Sequence, residues 1–119
     1  MTSHKVEELF GQLINSEYYL FPKPGNKIDA PNEKGVYIIF DSNCEVVHVG
    51  RTPRAKNGIL QRLKDHLAGN SSFVKHYLNG DRLKLRQGYR FKCLVVQDER
   101  ERALLEYYTI GHLCPKHIR

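Results

Sequence analysis

Five side chains of this sequence combine reactive or charged groups with positions at the edges of apolar faces: Tyr37, His48, Arg62, His66 and Glu106. Tyr37 and His48 fall in two β-rich runs with Ser42 and Asn43 between them. A two-residue loop there, or a four-residue loop from Asp41 to Cys44, sets Tyr37 directly opposite His48, with Ile39 and Val46 further along the same face. Such a pair can be packing and nothing more. Arg62 and His66 are i, i+4 neighbours on one shoulder of the stripe Ile59, Leu60, Leu63 and Leu67, half in water. A guanidinium so placed either ligates a phosphate in bidentate fashion or lays its stem over apolar surface with its head in solvent. Glu106 lies between Ile110 and Leu113 around the last helix, at the edge of an inward face of Ala103, Leu104, Tyr107, Ile110 and Cys114. Glu99 and Glu101 suit the helix start and its dipole. A half-buried, mid-helix carboxylate needs a partner, either an arginine or a hard divalent cation that keeps several waters.

The elements that must carry these groups can be read in order. Ser3 to Asn15 is predicted as a helix with Val6, Leu9, Phe10, Leu13 and Ile14 on one stripe and Ser3 as its cap. Phe21 to Asn32 holds three prolines and a Gly-Asn pair and reads as a loop. Gly35 to Asp41 and Glu45 to Gly50 form a hairpin. Gly58 to Leu67 is a helix, Ser71 to Leu78 a second short one, and Tyr89 to Val96 a third strand. Asp98 caps a closing helix that runs to about Leu113 and is ended by Pro115. The order α-β-β-α-α-β-α predicts an α+β fold, a small three-stranded and mostly antiparallel sheet flanked by helices. Residues 1–33 would pack, as helix and loop, on a domain formed by 34–119.

Composition sets the partners. The chain has 119 residues and a net charge of +6, with a pI near 9.3. The charge is uneven: Arg51 to Lys92 holds eleven Lys and Arg against two acids, whereas the rest of the chain is net negative. A one-signed block attracts polyanions and releases their counterions, so nucleic acid is the expected partner. No apolar run approaches the roughly 20 residues of a membrane helix. The N-terminal sequence lacks the layout of a signal peptide, and three cysteines make no disulfide framework. A cytoplasmic protein without membrane contact is expected. His112, Cys114 and His117 form an H-x-C-x₂-H run that fits no familiar zinc knuckle.

Gly35-Val36-Tyr37, followed after a short interval by His48-Val49-Gly50 and Arg51-Thr52, resembles the double motif of the GIY-YIG nuclease superfamily. Gly58 to His66 is similar to that family's first helix, with its arginine and a histidine one turn later. Leu104-Leu105-Glu106-Tyr107 resembles the later helix that bears the metal-binding glutamate. The likeness runs from about Lys34 to Pro115, roughly two-thirds of the chain. It departs in two places. His48 stands where most members have tyrosine, and Leu113 to Arg119 holds no asparagine, although His117 is close enough to substitute.

The resemblance implies a DNA endonuclease that hydrolyses phosphodiesters to 5′-phosphate and 3′-hydroxyl ends with a single Mg²⁺ or Mn²⁺. Tyr37 would be the general base, its pKa lowered by nearby positive charge. His48 would hydrogen-bond the phenol or the water, or act as base itself. Arg62 would neutralise phosphoryl charge, His66 would hold the phosphate or position Tyr37, and Glu106 would bind the metal. Arg51, Arg54, Lys56 and Lys64 would contact backbone phosphates. The missing asparagine leaves the alternative of a module that holds nucleic acid without cutting it. An interaction protein whose basic patch takes an acidic partner is a further reading. Target choice would fall to residues 1–33, to a homodimer instead of a monomer, or to neither.

Overall fold

The computed structural model describes residues 3–53 and 57–118. It contains helix α1 (Ser3–Ile14), strands β1 (Tyr19–Leu20), β2 (Gly35–Phe40) and β3 (Val46–Arg51), helix α2 (Ile59–Leu67), strand β4 (Arg90–Val95) and helix α3 (Glu99–Leu113). Between α2 and β4 run a π-helical turn, Phe73–Tyr77, and a 3₁₀ turn, Arg82–Arg86. The strands form one antiparallel sheet in the order β1-β4-β2-β3. The expected third strand is therefore the fourth. Tyr19–Leu20 is an edge strand of two exposed residues, too short to show alternation in the sequence.

Strand β2 is central and buried on both sides. Its alternation splits the core. Val36, Ile38 and Phe40 pack with Leu9 and Leu13 of α1 and Leu105 of α3. Tyr37 and Ile39 face Ile59, Leu63 and Phe73 on the other side. Helices α1 and α3 thus cover one face, and α2 with the two turns covers the other. Strand β3 ends the sheet, and there the two layers can reach a common space.

The hairpin register differs from the expected one. Tyr37 pairs with Gly50 and Ile39 with His48, while Phe40 pairs with Val46. The turn spans Asp41 to Glu45: the Asp41 carboxylate accepts from the Asn43 and Glu45 amides, and Cys44 adopts a left-handed conformation. Val47 has no partner across the ladder, which is a bulge. The shift keeps Tyr37 and His48 on one face but sends Val46 to the other, against Phe40.

Helix α3 begins as expected, with the Asp98 carboxylate accepting from the Glu101 amide at 2.9 Å. Its inward face is rotated from the predicted one. Arg102, Leu105 and Thr109 are buried, whereas Tyr107 and Cys114 are exposed. The apolar residues are spread around this helix, so no stripe decides its orientation. Arg102 does much of that work. It is 2% exposed, its Nε donates to the Thr52 carbonyl, and its Nη1 donates to those of Val96 and Gln97. Arg102→Leu removes three charge-assisted hydrogen bonds, two of them buried, and should lower stability by about 3 kcal/mol in urea denaturation. A loss below about 1 kcal/mol would mean that water replaces the guanidinium.

Candidate active site

The space at the β3 edge is a pocket of about 150 Å³ whose lining includes Tyr37, His48, Arg62, His66 and Glu106. These five sequence-predicted groups come from four elements, strands β2 and β3 and helices α2 and α3, and the structure brings them together. Tyr37 is fully buried, and its Oη lies 2.8 Å from Nε2 of His66. His66 Nδ1 is 2.6 Å from Ser71 Oγ, which also accepts from the Val74 amide. This is a continuous hydrogen-bonded line from phenol to backbone, and it fixes the imidazole. His66 is fully buried instead of half in water, because Ser71 and Phe73 close over its shoulder of α2. Ser71 escaped notice in the sequence: five positions beyond His66 it reads only as a helix cap.

His48 stacks on Phe73, with centroids 4.9 Å apart, and Phe73 stacks on Tyr77. Its Nδ1 is 3.2 Å from Nδ1 of His117. His117 reaches the pocket because the chain after α3 returns along β3, where the His117 amide donates to the Val47 carbonyl. The run His112, Cys114, His117 does not converge. His112 stacks on Tyr108, and among the described residues no group of three such ligands could hold a metal.

Arg62 contacts Asp65 at 3.5 Å, and its Nε is buried without a hydrogen-bond partner among the described residues. That orphan donor is poised for an anion. Glu106 is paired at 3.3 Å with Arg51, whose guanidinium also lies over the Tyr107 ring. Arg51 therefore faces the carboxylate. Lys64 is exposed on the opposite side of α2 from Arg62, and Arg54 and Lys56 lie outside the described residues.

The family model of the GIY-YIG catalytic domain matches residues 33–119. The chain belongs to the GIY-YIG family. Among solved structures, this GIY-YIG chain is similar to the N-terminal GIY-YIG endonuclease domain of UvrC from Thermotoga maritima. A point mutant of that domain bound to its catalytic divalent cation gives a TM-score of 0.54 at 23% identity over all of both chains. The same domain bound to magnesium gives 0.53 at 22% over all of both chains. A mutant of bacteriophage T4 EndoII gives 0.58 at 15%, covering 96% of this chain and 98% of that one. The shared fold is antiparallel sheet between helices. A comparison with curated proteins found no match.

The two glycines of the GIY-YIG-like motif have a steric reason here. A Cβ on Gly50 would strike the Tyr37 hydroxyl, and one on Gly35 would strike the Leu94 carbonyl. Electrostatics corrects one expectation. The Arg62 charge does pull the Tyr37 pKa down, but burial outweighs it and pushes the phenol up to about 12. Tyr37 is therefore a neutral donor at neutral pH, and its natural acceptor is His66 Nε2. Burial, helped by His117 and Arg62, holds His48 down at about 3. Burial, with His48, Arg62 and His117, holds His66 well below the usual histidine range. His48 is thus too weakly basic to serve well as the base near neutral pH. Burial raises the Glu106 carboxyl, and Arg51 opposes that rise.

Both histidines are neutral when folded and titrate near 6.5 when unfolded, so they favour the unfolded state's proton uptake as pH falls. Their stability contribution is complete above that pH and is lost below it, at up to about 1.4 kcal/mol per pH unit for each. Glu106, with a raised folded pKa, acts in the opposite sense at lower pH. Urea denaturation from pH 7 to pH 5 should show falling stability, with a shallower slope for His66→Gln.

Proposed function

We propose that this GIY-YIG domain is a DNA endonuclease, hydrolysing phosphodiesters to 5′-phosphate and 3′-hydroxyl ends with a divalent cation, Mg²⁺ or Mn²⁺. The observation that carries this reading is the single pocket in which an unpartnered buried Arg62 donor, the Tyr37–His66–Ser71 line and the Glu106 carboxylate meet. The donor set fits such a cation: one partly buried carboxylate whose present partner is a charge, in a pocket open enough to leave room for waters. Glu106 would hold it, and when bound the cation supplies Lewis-acid stabilisation of the leaving 3′ oxygen.

The chain's own residues do the rest. Arg62 donates from Nε to a non-bridging phosphoryl oxygen and gains most when charge grows there. Tyr37 takes a proton from the attacking water as its own phenolic proton passes to His66 Nε2, and Ser71 keeps that ring oriented. Burial is the main cause of the low His66 basicity, and a phosphate beside Arg62 offsets only the smaller part that the Arg62 charge adds, so substrate binding makes the acceptor somewhat more basic. His48, held on Phe73 and by His117, orients the water or the phenol. With Glu106 engaged elsewhere, Arg51 is released toward substrate phosphates, and Arg54, Lys56 and Lys64 add contacts that carry no sequence information.

Leu9 and Leu13 share a core with Val36 and Leu105, which supports treating residues 1–33 as part of one unit with the catalytic domain. The three cysteines are unpaired and no described helix is long and apolar enough to cross a membrane, in keeping with a cytoplasmic setting. Among the described residues each chain offers one such pocket, so a monomer nicks one strand per encounter and a homodimer breaks both. The test is supercoiled plasmid incubated with Mg²⁺, Mn²⁺ or EDTA. Metal-dependent nicks that DNA ligase can reseal are expected. DNA retention with no cutting under either metal would overturn the enzyme reading and leave a non-cutting binding module.

A further inference from the structure

A second depression, of about 410 Å³, lies between α2, the proline-rich loop and the 3₁₀ turn. Its charged lining is Lys27, Lys64, Arg82 and Arg86, and no acidic side chain lines it. Four cations from three separate stretches repel one another when gathered so closely, and among the described residues none of the four is ion-paired with a carboxylate. Arg86 has a structural task. Its Nη1 donates to the carbonyls of Pro22, Lys23 and Asn26, pinning the loop that presents Lys27. The other three are exposed, and Arg82 makes only a long 3.5 Å contact to the Leu67 carbonyl. A site that spends one arginine on holding a cationic rim together is built to meet negative charge.

We propose that this cleft is a second phosphate-binding site, which holds the nucleic-acid backbone away from the scissile bond. The inference rests on the nuclease reading for its substrate class. Helix α2 links the two places. At 3.6 residues per turn Arg62 and His66 project to one flank, and Lys64 and Ala68 project to the other. The catalytic pocket and the cleft therefore stand on opposite sides of a helix about 10 Å thick. That separation is comparable with the groove widths of a duplex, about 6 and 12 Å, which set how far apart its backbones run. A duplex bound at both points has its scissile phosphate registered in the pocket. The contact is electrostatic, so it adds affinity and orientation without base readout.

The test measures binding of a fluorescent DNA duplex by anisotropy across a salt series in EDTA, where no cleavage intervenes. Lys64→Gln and Arg82→Gln should each reduce the slope of log affinity against log salt by about 0.9. The double variant should bind at least about tenfold more weakly at 0.1 M salt. Lys84→Gln, exposed on the same turn but outside the cleft, should leave the slope close to that of the parent. An unchanged slope in the double variant would overturn the proposal, as would failure of the parent protein to bind duplex. Loss of affinity for a poly-glutamate probe with DNA binding intact would overturn it too, assigning the cleft to an acidic protein. Absence of metal-dependent nicking tests the nuclease reading instead, because the salt slope is read without metal.

Discussion

Replacing Glu106 by glutamine should give a folded protein that binds DNA in EDTA and cuts it at least about a thousandfold more slowly in Mg²⁺ or Mn²⁺. The substitution keeps volume and hydrogen-bonding shape but removes the carboxylate charge from a site where burial makes every charge count. A Lewis acid contributes several kcal/mol to the transition state, and about 4 kcal/mol corresponds to that factor. Isothermal titration with Mn²⁺ gives an independent reading, since the heat of binding should vanish with the carboxylate. Residual nicking within tenfold of the parent would remove Glu106 from the reaction. Arg51 adds a contrast. It now pairs with Glu106 at 3.3 Å, so a cation must displace it, and Arg51→Ala should tighten Mn²⁺ binding by several-fold in the same titration.

Tyr37→Phe should lower the cleavage rate by about a thousandfold, within the range for loss of a positioned acid–base group. The hydroxyl is the only part removed from a fully buried ring, so packing stays intact. The cost to stability should be about 1 kcal/mol, for the His66 nitrogen left without a partner. The affinity for DNA in EDTA should change little. A rate within tenfold of the parent would show that proton transfer bypasses the phenol. The pH profile separates the two roles of Tyr37, base and structural donor. With its pKa pushed to about 12, the phenol is neutral throughout the working range, and His66, held well below the usual histidine range, is neutral there too. The rate should therefore be nearly flat around neutral pH, and a rise of about tenfold per pH unit would mean that phenolate is the base. Ser71→Ala frees one end of the line, and it should slow cleavage less, while leaving the phenol in place.

Some of this was legible in the residues. The apolar stripe of α2, the Asp98 cap, the Gly35-Val36-Tyr37 and His48-Val49-Gly50 runs and the mid-helix Glu106 are local patterns, set by periodicity and capping chemistry that act over a few residues. They are enough to mark the catalytic candidates and to carry the resemblance to the family. Register, rotation and environment were not local. The hairpin moved because an aspartate carboxylate captured two turn amides and a bulge absorbed Val47. Helix α3 turned because Arg102 found three carbonyls from two other segments.

Electrostatics was decided last of all. The family resemblance implies a Tyr37 phenol pKa lowered by nearby positive charge. In the fold, the same tyrosine is sealed between β2 and α2, and desolvation outweighs the charge beside it. Ser71 joined the site through a chain reversal that no spacing rule encodes. His117, singled out by its distance beyond Glu106, reaches it because the chain after α3 returns along β3, and the cationic cleft needed three distant stretches in one place. Residue types and short-range order determined which chemistry this chain can attempt. Which groups share a pocket, and which protons they hold there, depended on burial and long-range contact, and these exist only once the chain has folded.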